Sequence, residues 1–231
     1  MRIAFAIIRV VVAVAIIAAV VGQLTLSIGY WTDHGVTNIG LSIVNFFSFF
    51  TILSNVLAVV ALLIGAALLV TRSGLDPHVY TVFRGCVATY MIITGIVYNL
   101  LLRGIELPQG TTLEWANEVF HVAAPIWLLL DWLLAPGRGR LEWSRIVTIL
   151  VFPLVWIAYT LIRGPFIHNE LTGQPYWYPY PFLNPNLPGA SYWTVAGYSV
   201  VIAIAMAVVG LGVILVSRRM RPLATASRSA R

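Results

Sequence analysis

Six long runs of apolar residues, separated by short polar stretches, dominate the pattern of this 231-residue chain. Each run is close to the about 20 residues that an α-helix needs to cross roughly 30 Å of bilayer hydrocarbon. The pattern therefore predicts an all-α, polytopic membrane protein built as a six-transmembrane-helix bundle. The predicted spans cover about residues 3–22, 41–63, 79–102, 113–134, 145–162 and 190–216.

Composition and charge agree with this class. Hydrophobic residues make up 60% of the chain and charged residues 10%, which excludes a large soluble domain. The net charge of +6 comes from arginines at the ends of apolar runs, a distribution that favours membrane topology over nucleic-acid binding. With six spans most arginines fall on one side, so the positive-inside rule predicts cytoplasmic termini. We expect one membrane domain over residues 1–217 and a basic cytoplasmic tail over 218–231.

Several ionisable residues lie inside the predicted spans, where an unpaired charge costs about 2.5–3.5 kcal/mol. Glu118 is expected either to orient His121, three residues later, or to pair with an outer arginine such as Arg103. Arg9 is expected to extend its charged end to the nearer membrane surface. Asp131 is expected at the inner end of its span, paired with an arginine of the following linker.

The second predicted span carries a stripe of polar side chains, formed by Asn45, Ser48, Thr51, Ser54 and Asn55. Their spacing places them close to one face of a helix, and in a bilayer such a face turns toward other helices. Two interpretations stay open. The stripe holds helices together, as small polar residues commonly do in membranes, or it lines a chemically active cavity.

The depths of Thr51 and His121 bring them to a common level. With 1.5 Å per residue and helices that start at about Leu41 and Leu113, Thr51 lies roughly 15 Å and His121 roughly 12 Å below the outer surface. A hydroxyl beside an imidazole forms a nucleophile and a general base, although a buried histidine with a hydrogen-bonding neighbour is also common in inert cores. Candidates to bind substrate or stabilise an oxyanion are Asn45, Ser48, Asn55, Tyr98, Asn99, Asn117 and Glu118.

Pro125 follows His121 by four residues. It removes the backbone donor whose normal acceptor is the His121 carbonyl, because proline has no N–H. A kink, or a carbonyl that faces a cavity, is therefore predicted at the level of His121.

The sequence does not favour a metal or another cofactor. Glu114, Glu118 and His121 lie near one helix face, but the predicted spans hold no second histidine to complete a zinc ligand set. A haem is not expected either, because the other histidines, His34, His78 and His168, fall in predicted loops. Cys86 is the single cysteine, which excludes an intrachain disulfide and a thiolate cluster.

Three short motifs carry a family resemblance: Phe50-Thr51-Ile-Leu-Ser54-Asn55, Asn117-(three residues)-His121-(three residues)-Pro125, and Tyr180-Pro181-Phe182-Leu183. They resemble motifs of the androgen-induced, FAR-seventeen-like six-span family. In overall layout the chain also resembles a bacterial group of six-span proteins, the "Pr-six-Pr" family.

The resemblance implies an intramembrane threonine hydrolase that acts on fatty-acid esters, in the bacterial cytoplasmic membrane, with a membrane lipid or fatty-acid ester as its partner. Members of the first family cleave esters between a fatty acid and a hydroxy fatty acid with one threonine and one histidine. Thr51 and His121 match those two positions, so a Thr51 nucleophile, a His121 base and an acyl-threonine intermediate are expected.

Two other functions remain open from the sequence. A transporter or lipid-binding protein would use the same polar stripe to line a cavity without cleaving anything. A structural scaffold would use it only to hold helices together. The long aromatic and proline-rich loop over residues 164–189 likewise has two interpretations, an anchor at the headgroup level or a lid over a cavity.

Overall fold

The computed structural model describes residues 1–105 and 107–219. Glu106 and the part of the predicted basic tail beyond Arg219 lie outside the described residues. Within those limits the protein is all-helical, with an isolated β-bridge between Asn169 and Gln174 and no strand. Its α-helices are α1 (Arg2–Asp33), α2 (Ile39–Phe47), α3 (Phe50–Thr71), α4 (His78–Val97), α5 (Glu114–Glu118), α6 (Ala124–Leu134), α7 (Arg145–Arg163) and α8 (Tyr192–Arg219).

Five helical segments of the described chain are long and apolar enough to cross a membrane. They are α1, α3, α4 with its continuation to Leu102, α7 with its continuation to Phe166, and α8. The central helix is α4, which packs against α3, α6, α7 and α8. Large apolar side chains on the outside of the bundle, such as Ile7, Val201 and Ile204, are exposed, as expected for surfaces in contact with hydrocarbon.

The fourth predicted span is helical but not uniform. Residues Glu114–Leu134 run through α5, a π-helical turn over Val119–Ala123, and α6. Pro125 explains the irregularity, because its missing N–H interrupts the ladder of backbone hydrogen bonds. The predicted disturbance at the level of His121 is thus present. The His121 carbonyl accepts a hydrogen bond from Asn99 Nδ2 at 3.1 Å, which replaces the lost backbone donor.

The second predicted span, a continuous helix over 41–63, is wrong. The chain forms α2, breaks at Ser48 and Phe49, and restarts as α3, with Phe49 in an extended conformation. Thr51 therefore lies in the first turn of α3, where backbone N–H groups have no partner within the helix. The depth of roughly 15 Å assumed one straight helix from Leu41 and does not hold.

The predicted loop over residues 23–40 is also shorter than expected, because α1 continues to Asp33. Trp31 explains the extension, since its buried indole donates a hydrogen bond to the Gln109 carbonyl at 3.0 Å. Gln23, near the predicted end of the span, is bonded to the Thr111 carbonyl and to the Leu113 N–H. These contacts connect the end of α1 to the segment before α5.

The charged residues inside the bundle pair with one another. Arg9 is completely buried, and its Nε and Nη2 bond the two carboxylate oxygens of Asp131 at 2.8 and 3.0 Å. Arg84 Nε bonds Asp131 Oδ2 at 3.0 Å. The prediction that Arg9 reaches the surface is wrong. Asp131 forms ion pairs with Arg9 of α1 and Arg84 of α4, and its charge also acts on Arg138 of the following linker. Pairing within the bundle compensates these charges where water is excluded.

Candidate active site

Thr51 and His121 meet inside the bundle. Thr51 Oγ1 lies 3.1 Å from His121 Nε2, within hydrogen-bond distance, and both residues are buried. Thr51 is held by the first turn of α3, and His121 by the π-helical turn before α6. The proximity predicted for this pair is present, although the helix break means that α3 starts close to the level of His121.

The other ring nitrogen of His121 sets its tautomer. Nδ1 lies 3.0 Å from the backbone carbonyl oxygen of Asn117. A carbonyl only accepts hydrogen bonds, so Nδ1 carries the proton and the neutral ring leaves Nε2 as an acceptor. The Thr51 hydroxyl can then donate to Nε2, which is the arrangement that a general base requires.

Tyr98 holds the plane of the imidazole. Its ring stacks on His121 with 3.7 Å between ring centroids and 15° between planes. The Tyr98 hydroxyl in turn accepts a hydrogen bond from Asn117 Nδ2. Of the residues predicted around the pair, Tyr98 and Asn117 therefore lie beside His121, where they restrict its movement.

Gly95 allows α4 to approach this turn closely. A Cβ atom at Gly95 would lie 3.0 Å from Pro125 Cβ and 3.3 Å from the His121 carbonyl oxygen. The absent side chain leaves room for Asn99, one turn later, to reach that carbonyl. Asn99 Nδ2 also donates to the Gly95 carbonyl at 2.8 Å. Both bonds go to backbone oxygens, so Asn99 supports the His121 turn and does not face Thr51.

Tyr180 is the residue that reasoning from sequence missed as a site component. Its hydroxyl oxygen accepts a hydrogen bond from the Thr51 backbone N–H at 3.1 Å and lies 3.2 Å from Thr51 Oγ1. Burial raises the pKa of Tyr180, so its phenol stays protonated and keeps a donor hydrogen. The signal in the sequence is its position in the Tyr180-Pro181-Phe182-Leu183 motif, but the motif does not indicate which residue Tyr180 contacts.

The loop that carries Tyr180 folds into the bundle. Trp177, Tyr178, Tyr180 and Leu183 are buried, with Phe49 in edge contact with the rings of Trp177 and Tyr180. A loop that only anchored the protein among headgroups would leave these rings at its surface. Of the two interpretations, a cover over the site fits these contacts better.

The remaining residues of the polar stripe make structural contacts. Asn45 Oδ1 accepts from Arg163 Nη2 at 2.8 Å, and Ser48 Oγ lies 2.9 Å from the Tyr159 hydroxyl. Asn55 Nδ2 donates to the Thr51 carbonyl at 2.9 Å within α3 and to the Phe120 carbonyl at 3.4 Å in the neighbouring π-helical turn. These three predicted candidates therefore join α2 and α3 to their neighbours, and their donors point away from the Thr51 hydroxyl. Within the stripe, Thr51 faces His121, and its neighbours hold helices together as the first interpretation predicted.

Glu118 forms an ion pair with Arg103 at 2.8 Å, and both side chains are about half exposed, at 48% and 47%. Of the two predictions for Glu118, pairing with an arginine is the one observed. The Arg103 guanidinium also lies over the Tyr98 ring, 5.3 Å from its centroid. The pair therefore covers the side of Tyr98 and contributes no hydrogen bond to His121.

Two cavities meet at Thr51 and Tyr98, which line both of them. The first has a volume of about 50 Å³ and the second of about 60 Å³, and both are partly open to the exterior. The first is almost entirely apolar and is bordered by α4, α7, α8 and the Tyr180 loop. The second lies between α1, α2, α5 and the segment after Leu102, and is lined by His121, Asn117, Gln23 and Gln109 among others.

Across residues 1–105 and 107–219, no three side chains of histidine, cysteine, aspartate or glutamate come together as a metal site. Glu114 and Glu118 thus do not join His121 in one. Comparison with protein-family models, with curated proteins and with solved structures found no match to this chain. The likeness to the six-span hydrolase family stays a prediction that rests on the motifs quoted above.

Proposed function

We propose that this protein is an intramembrane ester hydrolase in which Thr51 is the nucleophile and His121 the general base. The observation that carries the proposal is the Thr51–His121 contact, with Oγ1 3.1 Å from Nε2 and the Nδ1 proton bound to Asn117. An inert buried histidine needs a partner for each nitrogen. It does not need a hydroxyl at the meeting point of two cavities.

The reaction has two steps. In the first, Thr51 Oγ1 attacks the ester carbonyl carbon while its proton passes to His121 Nε2, and His121 then protonates the leaving alkoxide to release an alcohol. In the second, His121 takes a proton from water, the hydroxide attacks the acyl-threonine, and Thr51 recovers its proton as the fatty acid leaves. The Asn117 carbonyl stabilises the imidazolium at Nδ1 in both steps.

Tyr180 supplies the hydrogen bond to the oxyanion. In the tetrahedral intermediate the oxyanion and Thr51 Oγ1 are bonded to the same carbon, and the Tyr180 hydroxyl lies 3.2 Å from that Oγ1. A small rotation of the phenol O–H turns its donor from Oγ1 to the oxyanion. Removal of such a donor typically costs about 2.7–4 kcal/mol of transition-state stabilisation.

The proposal includes six membrane spans with both termini in the cytoplasm of a bacterium. The sixth span, beside the five long helices, is the interrupted run of α5, the π-helical turn and α6. Two contacts support one arginine-rich end of the bundle. Arg2 Nε bonds the Leu69 carbonyl at 3.2 Å, and Arg218 Nη1 bonds the Leu141 carbonyl at 3.0 Å. The start of α1 thus lies beside the end of α3, and the end of α8 lies beside the segment before α7. Both contacts support an arrangement with these arginines on one side of the membrane, as the positive-inside rule requires.

The test uses a fluorophosphonate probe and a long-chain lipid ester on the purified protein in detergent or vesicles. In the parent, Thr51 Oγ1 is expected to attack the phosphorus of the probe and displace fluoride, which labels Thr51, while Thr51→Ala and His121→Ala lose labelling and about 10²-fold or more of ester turnover. Thr89→Ala is the matched control, because Thr89 is buried and bonds only the Gly85 carbonyl. Equal labelling and turnover in all four proteins would refute the hydrolase.

A further inference from the structure

Thr51 stands between two cavities, one almost entirely apolar and a second, more polar one, and His121 lines only the second. Thr51 and Tyr98 border both cavities, whereas His121 and Asn117 border the second alone. This asymmetry indicates which way an ester substrate lies across Thr51. The inference rests on the proposed function, because it assigns the acyl and alcohol halves of the ester to the two sides of the nucleophile.

The first cavity has the chemistry of a hydrocarbon site. Its walls include Ile93, Val97, Ile157, Ile202 and Met206, and its polar members away from Thr51 and the tyrosines are the hydroxyls of Thr94 and Ser199. Tyr180, Phe182 and Leu183 of the covering loop also line it. An alkyl chain is the ligand that matches such walls, because apolar surface offers dispersion contacts and no hydrogen-bond partners.

The second cavity has mixed walls, in which the rings of Phe46, Phe49 and Phe120 stand beside polar side chains that can bind water. Gln109, which borders this cavity and a neighbouring one, has a buried Oε1 with no hydrogen-bond partner in the part of the chain that the structure describes. A buried amide oxygen without a partner costs free energy unless a donor satisfies it, and water is the donor that a polar cavity admits. His121, Asn117 and Thr112 line the same space.

The proton transfers that His121 performs then decide how the ester substrate is oriented. The imidazole must protonate the leaving alkoxide, and it must later deprotonate the water that attacks the acyl-threonine. Both events take place on the side of Thr51 where His121 lies. The alcohol therefore leaves on that side and water enters there, while the acyl group stays on the opposite side throughout both steps.

We infer that the apolar cavity binds the acyl chain of the ester and that the polar cavity takes the leaving alcohol and the hydrolytic water. The substrate class that fits is a long-chain fatty-acyl ester of a polar alcohol. Acyl-chain length should then be selected by α4, α7 and α8, and the alcohol by the segment around Gln109.

The experiment pairs two variants of one helix. Ile202→Phe narrows the apolar cavity, whereas Ile204→Phe places the same ring on the exposed face of α8. With a series of esters, Ile202→Phe is expected to lower kcat/KM for long acyl chains about tenfold and for short acyl chains by less than about twofold. Ile202→Phe should not change how kcat/KM depends on the alcohol part of the ester. Ile204→Phe should have the same kcat/KM values as the parent. A shift in the alcohol dependence alone would overturn the orientation.

A second measurement does not depend on turnover. A long-chain fatty acid with a terminal photoreactive diazirine is added to Thr51→Ala, and the crosslinked residues are mapped by mass spectrometry. Crosslinks to Val97, Ile202 or Met206 that unlabelled fatty acid competes away support the acyl site. Crosslinks to residues of the polar cavity, or only to the lipid-facing surface, overturn it. Absence of Thr51-dependent hydrolysis with crosslinks still in the apolar cavity would reject the hydrolase and retain the chain-binding site.

Discussion

The Tyr180 hydroxyl accepts a hydrogen bond from the Thr51 backbone N–H, at 3.1 Å and across 129 positions of sequence. The first turn of a helix leaves its N–H groups without helical partners, and Tyr180 satisfies one of them from the loop between α7 and α8. The same oxygen lies 3.2 Å from the Thr51 hydroxyl. The Tyr180 phenol therefore caps the start of α3 and also faces the hydroxyl of the proposed nucleophile.

Tyr180→Phe is expected to lower kcat by about 10²- to 10³-fold with little change in KM, because it removes the oxyanion donor and keeps the ring in place. Fluorophosphonate labelling of Thr51, followed together with steady-state ester hydrolysis, checks this. Tyr176→Phe is the control, since the Tyr176 ring contacts Tyr178 in the same loop but lies outside both cavities. Unchanged kcat in Tyr180→Phe would remove Tyr180 from the mechanism.

Glu118→Gln is expected to keep at least about a third of the parent activity. Its carboxylate pairs with Arg103 at the exposed edge of the site, where solvent screens the ion pair and leaves it with little effect. Rates of ester hydrolysis for Glu118→Gln and Arg103→Gln, measured beside His121→Ala, check this. A loss as large as that of His121→Ala would show that Glu118 orients the imidazole after all.

Asp131→Leu is expected to destabilise the protein by about 3–5 kcal/mol, because it leaves the Arg9 and Arg84 guanidiniums buried without their shared carboxylate. Thermal unfolding in detergent measures the change. Asp33→Leu, on the exposed end of α1, is the control and should unfold like the parent. Because Arg84 also pairs with the buried Asp76 at 3.5 Å, the recovery test replaces Arg9, Asp76, Arg84 and Asp131 together by apolar residues. This should recover much of the loss, and failure of that recovery would contradict charge burial as the cause.

The contact of Glu170 with Thr37 and Asn38, outside the membrane spans, is expected to make local stability depend on pH. Hydrogen bonds from the backbone N–H groups of Thr37 and Asn38 to its carboxylate, at 2.6 and 3.2 Å, lower the pKa of Glu170. Because the pKa is lowered, the contact stabilises the fold at pH values above the glutamate pKa in the unfolded chain, which is about 4.3. That stabilisation is lost as the pH falls through the lower pKa of Glu170 in the folded protein.

Hydrogen exchange at the Thr37 and Asn38 amides checks the Glu170 contact. Both amides are expected to be protected at neutral pH and to lose protection at acidic pH. In Glu170→Gln the protection should be reduced at every pH. Glu142→Gln is the control, because Glu142 pairs with Arg145 near the start of α7, far along the chain from these amides. Protection that does not change with pH in the parent would contradict this role of Glu170.

The sequence determined the features that depend on local pattern. Apolar run length is a property of neighbouring residues, so the helical class and the membrane-compatible helices could be predicted from it. The burial of the stripe from Asn45 to Asn55 followed from helical spacing together with the cost of polar groups in lipid. The closeness of Thr51 and His121 was predicted from depth, although one premise of that argument, a straight helix from Leu41, was wrong.

The tertiary structure decided the features that join distant parts of the chain. The Arg9–Asp131 bond spans 122 positions and the Tyr180–Thr51 contact spans 129, and no periodicity records which residues meet at such separations. The break at Ser48 and Phe49 also depends on partners elsewhere, because Tyr180 satisfies a backbone donor at the restart of the helix. Hydropathy places a residue inside or outside the bundle, whereas helix packing alone decides which polar groups share a level and a face.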